Sequence, residues 1–586
     1  MHKYAGVFMA ILILGLWGCG GGGVSSVTAP PAAPQFSFSL SSPTLRVFQT
    51  GPSGGVDLTV TRNGSSGLLS LTVSGLPAGA AAQIEGLGST TAGTLSITPG
   101  TAAAGAYNLK LAMSDGQATV TQPLTLTVGV TTTVDTATTG NLNLFMSTSF
   151  QPAEWDYQFF TSFPAATTPL TALGPQHIRI QAVSQGVPQT SASTWSFAIL
   201  DSVLNPVFTA ADHNPEFQIA VAPAFLDDPS GHLLPANFSQ FAAYSAQLVR
   251  YYNAGGFIAP DGFHVSSSGY PITYWGVFNE PNLNGLTALQ YTALYNQTVP
   301  TMQAVDSSIK FVAVELSDYA NQDTTFIPTF VAGVTAQVDV MATHFYSTCN
   351  QKDSDQTLFA TIPDFANRVS YLYSQMQTNP ALLNVPVWIT ENNVNADFDK
   401  GGGISACNGT AFVVDPRGSS AYFTAWRPYM FSQMAKAGAK GLYTWVFAGD
   451  VQYGELNDQT GQPRLSYWVD YWLQHFFPSP PGAQLLHNTV SDNAEIETLA
   501  ARNPDGSIVI MVANHALASP LDNNGPGAPR DVLVDVSQLG TFTSAQVLTI
   551  DGKTDIVNGP TASAIALAPT VEVDFSGYGV AFLLLK

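Results

Sequence analysis

The order of apolar and polar residues along this chain changes character twice. Between residues 36 and 130 it alternates with period two in short runs: Phe36-Ser37-Phe38-Ser39-Leu40, Val56-Asp57-Leu58-Thr59-Val60, Leu69-Ser70-Leu71-Thr72-Val73, Tyr107-Asn108-Leu109-Lys110-Leu111 and Leu124-Thr125-Leu126-Thr127-Val128. Strict alternation puts one face of a strand into a core and the other into water, and turn residues separate these runs at intervals suited to a β-sandwich. From 142 the apolar runs become short and nearly continuous, at 142–148, 177–182, 216–222, 273–279, 310–315, 339–346, 386–391 and 440–446. Amphipathic stretches lie between them, clearest at 237–253, 286–305, 324–337, 360–378, 419–437 and 464–476. A strand apolar on both faces fits a parallel sheet covered by helices. Eight such strands, each followed by a helix, predict a (β/α)8 TIM barrel over 142–477, with a doubly wound open sheet as the alternative. Past Pro478, Pro480, Pro481 and Gly482 the pattern is all-β again, as in Ile508-Val509-Ile510-Met511-Val512-Ala513 and the terminal run Gly579–Leu585. Residues 478–586 are expected to form a C-terminal β-sandwich, to which the segment before the barrel can add a strand. Two stretches read as connections: the Gly, Ser, Pro and Ala of 20–35 as a flexible tether, and the Thr-rich 131–141 as a linker.

A chain of 586 residues is too long for one compact core, which agrees with several domains. Charged residues are only 10% and the formal charge is −21. That balance argues against nucleic acid or an anionic membrane surface as partner, since both select Lys and Arg. It is compatible with a neutral ligand such as a sugar. Motifs for other chemistries are missing: no His-x-x-x-His pair with a helical Glu, no Walker loop, no strand-linked Gly-x-Gly-x-x-Gly, so neither metal nor cofactor is expected. Gly51-Pro52-Ser53-Gly54-Gly55 matches the nucleophile-elbow pattern, but it lies between sandwich strands with no helix after it and reads as a turn.

The N-terminus reads as a targeting segment. Lys3 gives a basic start, residues 5–17 are mostly apolar but too short to span a bilayer, and Leu16-Trp17-Gly18-Cys19 follows. This end resembles a bacterial lipobox. The resemblance implies removal of residues 1–19 up to a lipid-modified Cys19, and an envelope protein whose only membrane contact is that anchor. Ser74-Gly75-Leu76-Pro77-Ala78-Gly79 and Gly105-Ala106-Tyr107 resemble bacterial immunoglobulin-like repeats, which implies that 36–130 is a spacer or a sugar-binding module. In an oxidising compartment Cys349 and Cys407, in the loops after strands six and seven, are placed to pair.

The candidate chemistry sits at strand ends. Tyr274-Trp275-Gly276-Val277-Phe278 runs into Asn279-Glu280-Pro281-Asn282, and Val387-Trp388-Ile389-Thr390 runs into Glu391. In a barrel both glutamates stand on the face where active sites lie. Two facing carboxyls, one protonated to assist a leaving oxygen and one ionised to attack or to activate water, are what glycoside hydrolysis requires. Phe278-Asn279-Glu280-Pro281-Asn282 on strand four, with Trp388-Ile389-Thr390-Glu391 on strand seven, resembles the clan A retaining glycoside hydrolases, and within them the β-xylosidase and α-L-iduronidase family (family thirty-nine). The resemblance implies Glu280 as acid/base, Glu391 as nucleophile and Asn279 as ligand of the sugar 2-hydroxyl. Other strand ends offer substrate-binding candidates: Arg179, expected to hold Glu391 ionised; His344 and Tyr346, either able to hydrogen-bond the nucleophile; Trp445, a floor for the sugar ring; and Glu315, for a sugar hydroxyl or a cation. Together these features point to an exported retaining glycosidase acting on oligo- or polysaccharides. The rival readings are a non-catalytic sugar-binding surface lipoprotein on a decayed barrel, or an adhesin acting through its sandwiches.

Overall fold

The computed structural model describes residues 35–151, 156–183, 186–210, 214–317, 324–448, 452–478 and 482–586. The signal segment, Cys19 and nearly all of the expected tether lie outside the described residues. Eight parallel strands close into a barrel: β1 (Phe145–Phe150), β2 (Arg179–Ala182), β3 (Glu216–Ile219), β4 (Tyr274–Val277), β5 (Lys310–Ser317), β6 (Val340–Thr348), β7 (Val387–Asn395) and β8 (Gly441–Thr444), with β8 pairing back onto β1. The apolar runs set the order, and the open-sheet alternative is excluded by this closure. Helices Phe238–Asn253, Ala288–Gln303, Phe326–Gly333, Asp355–Met376, Phe423–Ala437 and Leu465–Phe476 cover the outside. Three further helices after β1 and β2, Asp156–Ser162, Thr167–Leu173 and Ala198–Ala210, escape the amphipathic reading. The last of these is apolar over much of its surface and carries Pro206 in its interior.

Alternation along each strand sorts side chains between lumen and helix layer. Phe145, Val312, Val340, Ala342, Trp388 and Tyr443 form a separate apolar plug with Tyr274. Their neighbours Met146, Phe311, Met341, Ile389 and Leu442 join the large core under the helices. Gly441 is required here, because a Cβ would stand 2.7 Å from the Phe145 ring and 3.1 Å from Trp388. Above this plug the lumen turns polar, and that is where the strand-end residues converge.

The Thr-rich segment 131–141 is not a linker. It is the second half of one 23-residue strand, Thr119–Asn141. Its first half pairs with Gly105–Ser114 and Thr44–Phe48, its second half with Gln484–Val490 and Arg530–Asp535. Thr is β-branched and suits a pleated strand, so a polar, Thr-rich run is as good a strand as a linker. One strand thus joins the strand-rich regions before and after the barrel into a continuous sheet. The later region is also fastened to the barrel helices. The Asp355 carboxylate at the start of Asp355–Met376 accepts the N–H groups of Asn524 and Gly525, each at 2.8 Å, and Glu497 accepts from Ser432 and Lys436 on Phe423–Ala437.

Between β1, β7, β8 and the last helix lies a buried polar knot. Arg427, without exposed surface, donates to both Asp470 oxygens at 2.8 and 3.0 Å and also reaches Asn392 and Thr444. Replacing Arg427 by Met leaves the Asp470 carboxylate buried without its cation. It is expected to destabilise the barrel by about 3–5 kcal/mol, read as a lowered urea midpoint in tryptophan fluorescence; an unchanged midpoint would show that the pair adds no net stability.

Candidate active site

Strand β2 turns Arg179 and Gln181 into the lumen while Ile180 and Ala182 pack outward among the helices. The Arg179 guanidinium is fully buried and shared. Nε donates to Glu315 Oε1 at 2.9 Å, Nη1 to Glu391 Oε1 at 2.9 Å and Nη2 to Asn279 Oδ1 at 3.1 Å. Glu216 Oε1 stands 3.9 Å from Nε. These carboxylates raise the already high pKa of Arg179 against the pull of burial, so its charge is permanent. One side chain therefore ties together β4, β5 and β7.

Regular strands would not present these carboxylates inward. Lumen positions on β7 include Trp388, so strict alternation would point Glu391 toward the helices. A register shift in the β6–β7 pairing, where Thr343 and His344 face Ile389 and Glu391, inserts Thr390 as an extra residue and reverses the parity. On β5 a similar shift between Ala313 and Leu316 coincides with left-handed φ values of 78° at Val314 and 42° at Glu315. After β4 the chain turns through Phe278 at φ 69° and Glu280 at φ 41°. Each such non-glycine conformation costs about 1–3 kcal/mol and persists because its surroundings over-determine it. Here Tyr291, on the helix after β4, donates to Val277 O at 3.1 Å and accepts from Val314 N at 2.7 Å. Glu280 N donates to Glu315 O at 3.0 Å, and the Asn282 side chain bridges to Ser317 N and O at 3.2 and 3.0 Å. The Asn-Glu-Pro-Asn turn is thereby stitched to the β5 bulge.

The two strand-end glutamates sit in different surroundings. Glu391 is buried and accepts hydrogen bonds from Arg179, from Gln181 Nε2 at 3.2 Å and from Tyr346 Oη at 2.7 Å. Glu280 keeps one-fifth of its side-chain surface open, with Oε1 2.8 Å from His344 Nδ1. Burial pushes its pKa up to about 7, with Arg179 pulling the other way. His344 is buried and held down to about 4 by desolvation, so its imidazole is neutral near pH 7. A neutral ring can accept the proton of the Glu280 acid or, as the other tautomer, donate to the carboxylate. Oxygens of Glu280 and Glu391 and a nitrogen of His344 all lie within 4.8 Å of one another.

Asn279 accepts on Oδ1 from Gln218 Nε2 at 2.8 Å as well as from Arg179, which leaves its N–H donors as the atoms available to a ligand. Trp445 follows β8 half-buried, against Tyr346, Val446 and Tyr453, with its ring 5.9 Å from the Arg179 guanidinium carbon. Two sequence expectations change here. Arg179 does bond Glu391, and Glu315 does pair with a cation, that of Arg179, as expected; but neither has exposed surface, so direct contact with substrate is not where they act. Of the two candidates for a hydrogen bond to Glu391, Tyr346 makes it, whereas His344 bonds Glu280 and stays 3.6 Å from Glu391. Gln181, Glu216 and Gln218 were missed. Their signal is polar residues spaced by two on otherwise apolar strands, in register with Arg179. At the rim Cys349 and Cys407 are disulfide-bonded, Cα–Cα 5.9 Å, and the Asp397 carboxylate accepts from Ser405, Cys407 N and Phe398 N in the same loop.

Comparison with known proteins gives the same class of chemistry. The family described as glycosyl hydrolase catalytic core matches residues 265–414, which include both glutamates. Among solved structures the chain is similar to a monomeric β-xylosidase from Caulobacter crescentus CB15, at 15% identity and a TM-score of 0.55 over 78% of this chain and 99% of that one. It is also similar to a GH39 enzyme from Xanthomonas axonopodis pv. citri, at 15% identity and 0.53 over 78% of this chain and 97% of that one. A third is an α-L-arabinofuranosidase from Thermotoga maritima, at 12% identity and 0.56 over 78% and 99%. The covered share exceeds the barrel alone, so the fold likeness extends into the strands around it. No curated protein sequence matches the chain.

The raised pKa of Glu280 has a consequence for stability. Between pH 4.5 and about 7 the folded protein keeps a proton that the unfolded chain has released, so stability falls as pH rises through that window. Glu280→Gln, neutral throughout, is expected to match the wild-type Tm below pH 4.5 and to exceed it increasingly up to about pH 7. A Tm difference that does not grow with pH would contradict the assignment.

Proposed function

We propose that this glycoside hydrolase cleaves O-glycosidic bonds with net retention, through a covalent glycosyl-enzyme on Glu391. The observation that carries this reading is the close pair of unlike carboxyls, Glu280 and Glu391, with oxygens within 4.8 Å. Retaining enzymes hold their carboxyls about 5–5.5 Å apart, whereas inverting enzymes leave about 6.5–9.5 Å for a water. Glu391, oriented by hydrogen bonds from Arg179, Gln181 and Tyr346, attacks the anomeric carbon. Glu280, still protonated up to about pH 7, delivers its proton to the departing oxygen. With the leaving group gone, the Glu280 carboxylate takes a proton from water, which attacks the same carbon and frees Glu391. His344, within hydrogen-bond distance of Glu280, can stabilise either of its protonation states. The Asn279 N–H donors are free to hydrogen-bond the sugar 2-hydroxyl, a contact that strengthens in an oxocarbenium-like transition state. Trp445 offers an aromatic face for the apolar side of the ring.

In this reading the substrate is an oligo- or polysaccharide, and the arrangement is of the clan A type, nearest to family thirty-nine. The chain is exported and held at the envelope by a lipid on Cys19, with residues 36–130 as an immunoglobulin-like spacer. Support for export comes from the Cys349–Cys407 disulfide, which belongs in an oxidising compartment.

On an aryl glycoside, ¹H NMR of the first-formed sugar is expected to show the substrate's anomeric configuration; the opposite anomer would sink the double displacement. Glu391→Ala is expected to abolish turnover. Glu280→Ala is expected to lose roughly 10²–10⁴-fold on glycosides whose leaving group needs protonation, and far less on activated leaving groups. Full activity of either variant on a natural glycoside would contradict the assignment. Because Glu280 must carry a proton, kcat/KM is also expected to fall as pH rises through about 7.

A further inference from the structure

Beneath the two glutamates the lumen holds two more carboxyls that the proposed reaction does not use. Glu315 and Glu216 have no exposed surface, and both face Arg179. The fold goes out of its way to seat Glu315. Its strand bulges, Val314 and Glu315 adopt left-handed φ, and on the neighbouring β4 stands Gly276, where a Cβ would come 2.4 Å from Glu315 Oε2. A side chain at 276 would push that carboxylate out of its present place. Among the described residues, Glu315 Oε2 and both oxygens of Glu216 lack a well-formed hydrogen bond from a protein donor. Glu216 faces Glu315 and, from β8, the Tyr443 hydroxyl. Three buried acceptor oxygens crowded around one cation are best satisfied by a proton on one carboxyl that donates to the other.

We propose that Glu315 is a positioning residue that takes up part of the Arg179 charge, with a protonated Glu216 beside it, so that Arg179 does not hold Glu391 too tightly to attack. Burial pushes both carboxyls above the usual carboxylate range, Glu216 further because the Glu315 charge adds to it; Arg179 Nε lies 2.9 Å from Glu315 but 3.9 Å from Glu216, which assigns the proton to Glu216 and the charge to Glu315. The groups around Arg179 are Glu216 from β3, Asn279 and Glu280 after β4, Glu315 from β5, His344 from β6, Glu391 from β7 and the Trp445 ring after β8. Without the Glu315 charge, the whole guanidinium charge falls on Glu391 and Glu280. Glu280 would then ionise at lower pH, and Glu391, with the undivided guanidinium charge beside it, would become a weaker nucleophile. This inference rests on the roles of Glu280 and Glu391 proposed above.

The test is the pH dependence of kcat and kcat/KM on an aryl glycoside for wild type, Glu315→Gln and Glu216→Gln. Glu315→Gln keeps the size and removes the charge. It is expected to move the basic limb of the profile, set by Glu280, to lower pH by about one unit and to lower kcat roughly tenfold or more, with KM little changed. Glu216→Gln keeps a neutral hydrogen-bond donor and is expected to leave both limbs in place. Loss of rate in Glu315→Gln with the basic limb unmoved would reduce Glu315 to a packing role and overturn the proposal. If Glu315→Gln does not fold, Glu216→Gln carries the test: moved limbs there would mean that Glu216 bears the charge, which also overturns it. A wild-type protein silent on all aryl glycosides would instead overturn the catalytic reading and this inference with it.

Discussion

Everything at the mouth of this barrel depends on a buried guanidinium. A charge without exposed surface is affordable only if it is paired and hydrogen-bonded on every side. Arg179 meets that condition by drawing in a carboxylate from β5, a carboxylate from β7 and an amide from β4. The same bonds that satisfy the arginine fix Glu391 and Asn279, so solvation of one cation and placement of the proposed nucleophile and its neighbouring amide are one geometric problem. Glu280, not bonded to Arg179, is left in the more open part of the cleft, where burial raises its pKa. The two glutamates thus differ in contact: Arg179 hydrogen-bonds Glu391 directly, whereas Glu280 meets His344.

Meeting that condition breaks the regularity of the sheet. The barrel alternates inward and outward residues until the point of chemistry, where β5 and β7 bulge and the β4 turn enters left-handed conformations. Such departures concentrate where function outweighs local preference. They are held by surrounding order: Tyr291 clamps the end of β4 to the β5 bulge, and Thr287 with Gln290 caps the helix that carries it. The disulfide between the β6 and β7 loops, and the Asp397 carboxylate beside it, hold the rim next to Glu391.

Much of this was legible in the sequence, for identifiable reasons. Strands buried on both faces leave continuous apolar runs, so all eight barrel strands stand out, and a glutamate closing such a run marks a barrel mouth. What the pattern could not carry was direction. Alternation from Trp388 turns Glu391 outward, and only the bulge at Thr390 brings it in. Burial depth was equally hidden: Arg179 and Glu315 lie at strand positions like those of surface-reaching residues, but their side chains are consumed by each other. The polar pairs Arg179/Gln181 and Glu216/Gln218, two residues apart, were a visible signal of a polar lumen that passed unread. The strand through 131–141 was missed because Thr serves linkers and strands alike, and the helix Ala198–Ala210 because its apolar surface and Pro206 mask a helical stripe.

The central claim is that Glu391 becomes covalently bonded to the sugar. Incubation with an activated 2-deoxy-2-fluoro glycoside, which slows release of the glycosyl-enzyme more than its formation, followed by peptide mapping, addresses it directly. The account predicts one sugar per chain, attached through an ester to the peptide Val387–Asn395 at Glu391, and no adduct in a Glu391→Gln variant. A protein that turns over the parent glycoside yet forms no adduct, or carries it on another side chain, would contradict it.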